Sequence, residues 1–297
     1  MFRSLLAIIT VAFVAAGTGV DAQVLPSDSA SGLDNDALGQ TSRGKIRLAT
    51  DSGLTALAVW FEATSDPAHC KWCDRDETGR DTLNGLDRTI RDAWVWAPDH
   101  RGRAATLSTI LEYSLIGGGL IWSAWAQPSG TSTEVSSGAS SSATDGWNGV
   151  SRVIEALGGS AAITGVFKRV AARERPWAHF QDGTGSGSPN DSFVSGHTSE
   201  TFAVATAVGV LCRARHCRHE TTAWVVGLVT ASATGYLRIA ADKHYMTDVL
   251  AGAGVGVLSG LAVPALGHQV WTDGKTSATV APVFIPAGLA LRSTWTW

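Results

Sequence analysis

Apolar residues recur at helical spacing over 54–63, 83–96 and 104–126, and again over about 148–174, 196–213, 220–236 and 243–266. Their order and short connections predict an all-α fold, an antiparallel helical bundle of about six helices. Between the two groups lies QPSGTSTEVSSGASSSATDG (127–146), whose Gly and Ser content predicts a long loop. Residues 23–52 hold no sustained period and read as a flexible leader. Near the C-terminus the period changes to two, because Leu289, Leu291, Trp295 and Trp297 alternate with Ala290, Arg292, Thr294 and Thr296. With Pro282, Pro286 and Gly288 as breakers, this predicts a small C-terminal β-hairpin turning at 286–288 and packed on the helices. The organisation expected is a signal segment (1–22), the leader (23–52), one helical domain (53–270) and a strand segment (271–297).

Gly252, Gly256 and Gly260 fall on one face of the last helix and predict a close helix crossing. The charge-free stretches 156–167, 201–212 and 221–237 are short or rich in Ser, Thr and Gly. Only 249–266 reaches the roughly 18 apolar residues of a membrane span, and Pro264 interrupts it. The pattern therefore favours soluble helices with at most peripheral membrane contact. At the N-terminus Arg3, an apolar run over 5–16 and the small-residue pattern Val20-Asp21-Ala22 predict a secretory signal cleaved after Ala22. The expected location is exported, periplasmic or envelope-associated.

Export places the four cysteines in an oxidising compartment. Cys70 pairs most simply with Cys73, and Cys212 with Cys217, one of three connectivities. His216 and His219 beside the second pair would suit zinc, but the paired CxxC ligand spacing is missing, so no metal is expected. A net charge of −3 with 16% charged residues excludes a basic nucleic-acid binder.

Three segments carry chemistry. In KRVAARERPW, Lys168 and Arg175 are seven residues apart and return to one helix face, with Pro176 ending the helix. In SPNDSFVSGHTSETF, Ser195 is positioned to cap a helix opening at Gly196, whose unpaired N–H groups form an anion site beside His197. In GYLRIAADKHYMTDVLAG, His244 and Asp248 are four apart. A helix there sets the carboxylate against one ring nitrogen and leaves the other as a nucleophile, with Arg238 six residues earlier as a fork for phosphate oxygens. Each segment alone reads equally well as solvated surface.

Together the three resemble the K-x6-R-P, S-G-H and R-x5-H-x3-D signature of the type 2 phosphatidic acid phosphatase superfamily, which includes lipid phosphatases, class A bacterial acid phosphatases and vanadium-dependent haloperoxidases. Val194 and Leu237 stand where that family usually has Pro and Ser. The resemblance implies a metal-independent phosphatase without cofactor, acting on a phosphorylated small molecule or lipid, and the N-terminal signal pattern adds export. It implies His244 as nucleophile, Asp248 as its orienter and His197 as the acid that serves the leaving oxygen. It also implies Lys168, Arg175, Ser195, Gly196 and Arg238 as the phosphate seat. Vanadate would inhibit such a site, or serve as cofactor in the haloperoxidase alternative; a catalytically silent envelope protein is a further alternative. A serine hydrolase on Ser195 is disfavoured, because V-S-G-H lacks the nucleophile-elbow context.

Overall fold

The computed structural model describes residues 69–125, 139–181, 185, 187–265, 269–272, 277–285 and 288–296. The expected signal segment, the leader, the stretch 54–63 and residues 127–138 lie outside the described residues. The described chain is mostly helical, with seven helices: α1 Gly85–Trp94, α2 Pro98–Trp125, α3 Ala139–Ala171, α4 Pro176–His179, α5 Gly196–Ala214, α6 Glu220–Ala240 and α7 Met246–Ala265. Residues 139–146, read from sequence as loop, form the first turns of α3. Towards the C-terminus the backbone traces β1 Gln269–Thr272, β2 Ser277–Ile285 and β3 Gly288–Thr296 in antiparallel order. Of the turn expected at 286–288, Pro286 and Ala287 lie outside the described residues.

Local chemistry sets several boundaries. Asn84 caps α1, its side-chain oxygen accepting from Asp87 N at 2.9 Å. Pro98 opens α2, where a missing N–H costs nothing. The helices gather round α5, which packs against α2, α3, α6 and α7. Its middle is rich in small apolar residues, and Val204, Ala207 and Val208 form one core cluster with Ile116, Val153 and Ala156.

The glycines of α7 set the α5–α7 crossing. A Cβ at Gly252 would stand 2.6 Å from the Ser195 carbonyl oxygen, and one at Gly260 would stand 2.8 Å from that of Ala203. Gly252→Ala should therefore force the two backbones apart and lower stability by about 1–3 kcal/mol. The same shift reaches Ser195 at the start of α5, so a thermal melt should show destabilisation together with weakened binding of inorganic phosphate.

The expectation of soluble or peripheral helices is corrected. Three helical stretches are long and apolar enough to cross a membrane: Pro98–Trp125, Gly149–Ala171 and Glu220–Ala240. The stretch favoured from sequence falls in Met246–Ala262, a shorter apolar helix. Counting charge-free runs misled because the charges inside these helices point inwards: Glu112, Glu155 and Arg238 are all buried. Outward lie Ile110, Ile121, Val170, Val226, Val229 and Leu258, each more than half exposed, a surface that suits hydrocarbon rather than water.

Candidate active site

At one end of the fold the last turn of α3, the linker 172–175, the loop before α5, the last turn of α6 and the loop before α7 meet. Lys168 lies on the last turn of α3. Arg175 departs from the sequence reading. The helix stops at Ala171, Ala172 takes a positive φ of 41°, and Arg175 precedes the short α4 in an extended conformation, which Pro176 favours. It is 7% exposed, a buried side chain rather than a helix end in water.

His244 also differs from expectation, because it precedes α7 instead of riding on it. Its Nδ1 lies 2.7 Å from the carbonyl oxygen of Ser192. A carbonyl only accepts, so Nδ1 carries the hydrogen and Nε2 keeps its lone pair. Around Nε2 stand Arg175 Nη1 at 3.4 Å and Arg238 Nη2 at 3.5 Å. Burial, and then Arg175, Arg238 and Lys168, hold the imidazole well below its usual range, so it stays neutral. The expected direct contact to Asp248 is a correction, since Oδ2 is 3.9 Å from Nδ1. Asp248 instead accepts from Ser192 Oγ at 2.6 Å, Tyr245 N at 2.9 Å and Arg173 Nη1 at 2.7 Å. It acts on His244 by fixing Ser192, whose carbonyl holds the ring.

The cations share partners. Asp191 takes Arg175 Nε at 2.7 Å and Lys168 Nζ at 3.4 Å, while Arg175 Nη1 donates to the Lys243 carbonyl at 2.9 Å. Burial alone would raise the Asp191 carboxyl; Lys168 and Arg175 hold it below its ordinary value. Lys243 adds positive charge next to His244, and burial, Arg175 and Arg238 bring its ammonium down to about 8. Gly196 opens α5, and the place of its missing Cβ lies 3.8 Å from Lys168 Nζ, so the ammonium stands at the helix N-terminus. Ser195 occupies the cap position without a side-chain cap bond; its Oγ meets Thr198 Oγ1 at 2.9 Å. His197, on the first turn of α5, directs Nε2 at Glu112 Oε2 and Thr109 Oγ1, each 3.2 Å away on α2.

Several of these residues were not singled out from sequence. Arg173 is fully buried and binds Asp74, Asp87 and Asp248. Glu112 had a usable signal, a carboxylate isolated in an apolar helix; Asp191 and Arg173 had none, lying in segments that read as polar turns. The cysteines divide. Cys70 and Cys73 are bridged, in a segment whose Lys71 N donates to the Ala172 carbonyl at 3.1 Å beside the site. The Cys212–Cys217 bridge is corrected: both are buried free thiols. Burial and the Cys212 thiol push Cys217 up to about 12, and a thiol that stays protonated does not readily form a disulfide.

Comparison with known proteins bears on this arrangement. Residues 149–271 match the family described as PAP2 superfamily. This chain carries a PAP2 superfamily domain. The PAP2 match contains all three signature segments, from Lys168 to Asp248. A 74-residue stretch is 40% identical to the lipid A 1-phosphatase of Porphyromonas gingivalis, covering 25% of this chain and 16% of that protein, a small part of its length. A crystal structure described as the first transmembrane PAP2-type phosphatidylglycerolphosphate phosphatase, from Bacillus subtilis, aligns at a TM-score of 0.42 and 18% identity over 71% of this chain and 93% of that one.

Proposed function

We propose that the protein is a membrane-embedded phosphatase that hydrolyses phosphate esters of lipids through a phosphohistidine. The observation that carries this reading is His244. Its Nε2 is a neutral nitrogen with its lone pair presented between two guanidinium groups, and its other nitrogen is locked on a backbone carbonyl. Nε2 attacks phosphorus, and the bond from phosphorus to the ester oxygen breaks as His197 gives that oxygen a proton. His197 then takes a proton from water, the water oxygen attacks phosphorus, the P–N bond breaks and inorganic phosphate leaves. Lys168, Arg175, Arg238 and the N–H groups at the start of α5 stabilise the charge on the equatorial oxygens, the main demand of phosphoryl transfer.

Three apolar spans support a membrane location, with the polar site at their ends where headgroups meet water. The bridged Cys70–Cys73 segment beside the site supports an oxidising, exported side. A hydrolysis screen of purified protein tests the reading with a lipid phosphate, a prenyl pyrophosphate and a small soluble monoester, each with and without chelator. Lipid phosphate should be cleaved, and activity should survive chelation. Failure to release phosphate from any of them, or loss of activity on chelation, would overturn it.

A further inference from the structure

His244 sits on a short loop between the end of α6 at Ala240 and the start of α7 at Met246. Ala241, Asp242 and Lys243 send their N–H groups back to the last carbonyls of α6, and Asp242 takes a positive φ of 57°. Aspartate tolerates this left-handed conformation better than most residues. Its carboxylate is fully buried between two guanidinium groups. Oδ1 accepts from Arg91 Nε at 2.7 Å, while Oδ2 accepts from Arg91 Nη2 at 2.8 Å and faces Arg101 Nη1 at 3.1 Å. The far side of the loop is held as well, since Asp87 accepts from Thr247 N at 2.8 Å and from Thr247 Oγ1 at 2.7 Å.

Asp87 and Arg91 are the buried residues of α1 and stand one helical turn apart. A single face of α1 therefore grips the chain on both sides of His244, at Asp242 and at Thr247. Arg91 is fixed in turn, because its guanidinium lies 3.7 Å from the centre of the Phe180 ring. Arg101, on the first turn of α2, donates from Nε to the Trp96 carbonyl at 3.1 Å. Asp87, Arg91 and Arg101 all precede the family match at residues 149–271.

We propose that α1 and the first turn of α2 form a brace that sets where His244 Nε2 stands relative to the phosphate seat, with Arg91 and Asp242 as positioning residues acting through the loop backbone. The inference rests on the phosphohistidine reading above. The Ser192 carbonyl fixes the rotation of the ring, and the brace fixes the backbone from which the ring projects. Lys168, Arg175 and the first N–H groups of α5 belong to other segments, so loosening the brace moves the nucleophile without dispersing the seat. A displacement of about 1 Å at an attacking atom costs on the order of 10²-fold in rate.

Arg91→Lys keeps the charge but loses the two-bond fork, and Asp242→Asn keeps the shape but loses the charge. Wild type, both single variants and the double variant are compared for the rate of phosphoenzyme formation on phosphatidic acid in mixed micelles and on p-nitrophenyl phosphate. Inhibition by inorganic phosphate and thermal unfolding are measured alongside. Val153→Ala, a truncation in the α3 core, reports what lost stability does alone. Each single variant should phosphorylate about 10–100-fold more slowly, while the inhibition constant for phosphate stays within about threefold. The double variant should be no slower than the worse single one, because both act through one contact. Arg91→Lys is the milder change and carries the test by itself if Asp242→Asn fails to fold. Wild-type rates in the variants would overturn the brace. So would phosphate affinity falling in step with rate, equal slowing in Val153→Ala at a matched loss of stability, or a double variant that falls as the product of the singles. A wild type that forms no phosphoenzyme from either substrate would sink the phosphohistidine reading itself, and the brace with it.

Discussion

Substituting His244 with alanine should abolish turnover and phosphoenzyme together. The His244 Nε2 stands between Arg175 and Arg238, so the fall should be on the order of 10⁶-fold, as for loss of a catalytic nucleophile. His197→Ala should behave differently, because it removes the proton needed by the departing oxygen and leaves the nucleophile. Turnover of alkyl esters should drop by roughly 10²–10⁴-fold, while substrates with good leaving groups should still trap labelled enzyme. Acid quenching spoils a phosphohistidine, so the label is sought after alkaline denaturation. The depressed imidazole adds a pH signature: phosphoenzyme formation should persist as pH falls through 6.5 and be lost only below it. Near-normal turnover by His244→Ala, or label on another residue, would end the phosphohistidine mechanism.

The second large effect is expected just behind the phosphate seat, at Arg173. Arg173→Ala should destabilise the protein by about 3–5 kcal/mol, because it strands the carboxylates of Asp87 and Asp248, both fully buried, and that of Asp74. Burial disfavours the Arg173 charge, yet Asp248, Asp87 and Asp74 outweigh it and raise the affinity of the guanidinium for its proton. Arg173→Lys should rescue little, since one ammonium cannot replace a fork whose Nη1 donates to Thr247 and Asp248 while Nη2 donates to Asp74 and Asp87. Thermal unfolding measures the loss. A melt within a degree or two of wild type would show that these carboxylates find other partners.

Sequence periodicity was enough to find the helices because apolar faces repeat over many turns, and the glycine ladder of α7 was legible because small side chains at four-residue spacing have one structural use. The chemical groups of the site were readable as types at spacings. Their connections were not. Ser192 holds His244 through a backbone carbonyl, which every residue possesses, so no side-chain pattern announces it. Asp248 looked like the direct partner of His244 because four-residue spacing was referred to a helix, whereas the helix begins two residues later, at Met246. Helices long and apolar enough to cross a membrane were missed for a related reason. A charged residue in sequence carries no direction, and Glu112 lowers the apparent hydropathy of α2 although it is buried and faces His197.

Asp191 bears on what happens when the seat is empty. Lys168 and Arg175 converge on the same small volume, close to Arg238 and Lys243, and unscreened like charges in a buried setting repel strongly. The carboxylate between Lys168 and Arg175 is an internal counterion that keeps the two heads facing each other. Because a carboxylate oxygen and a phosphate oxygen make the same demands on a guanidinium, the donors need little rearrangement when an anion arrives. The resting pocket is thus already shaped as though an anion were in it.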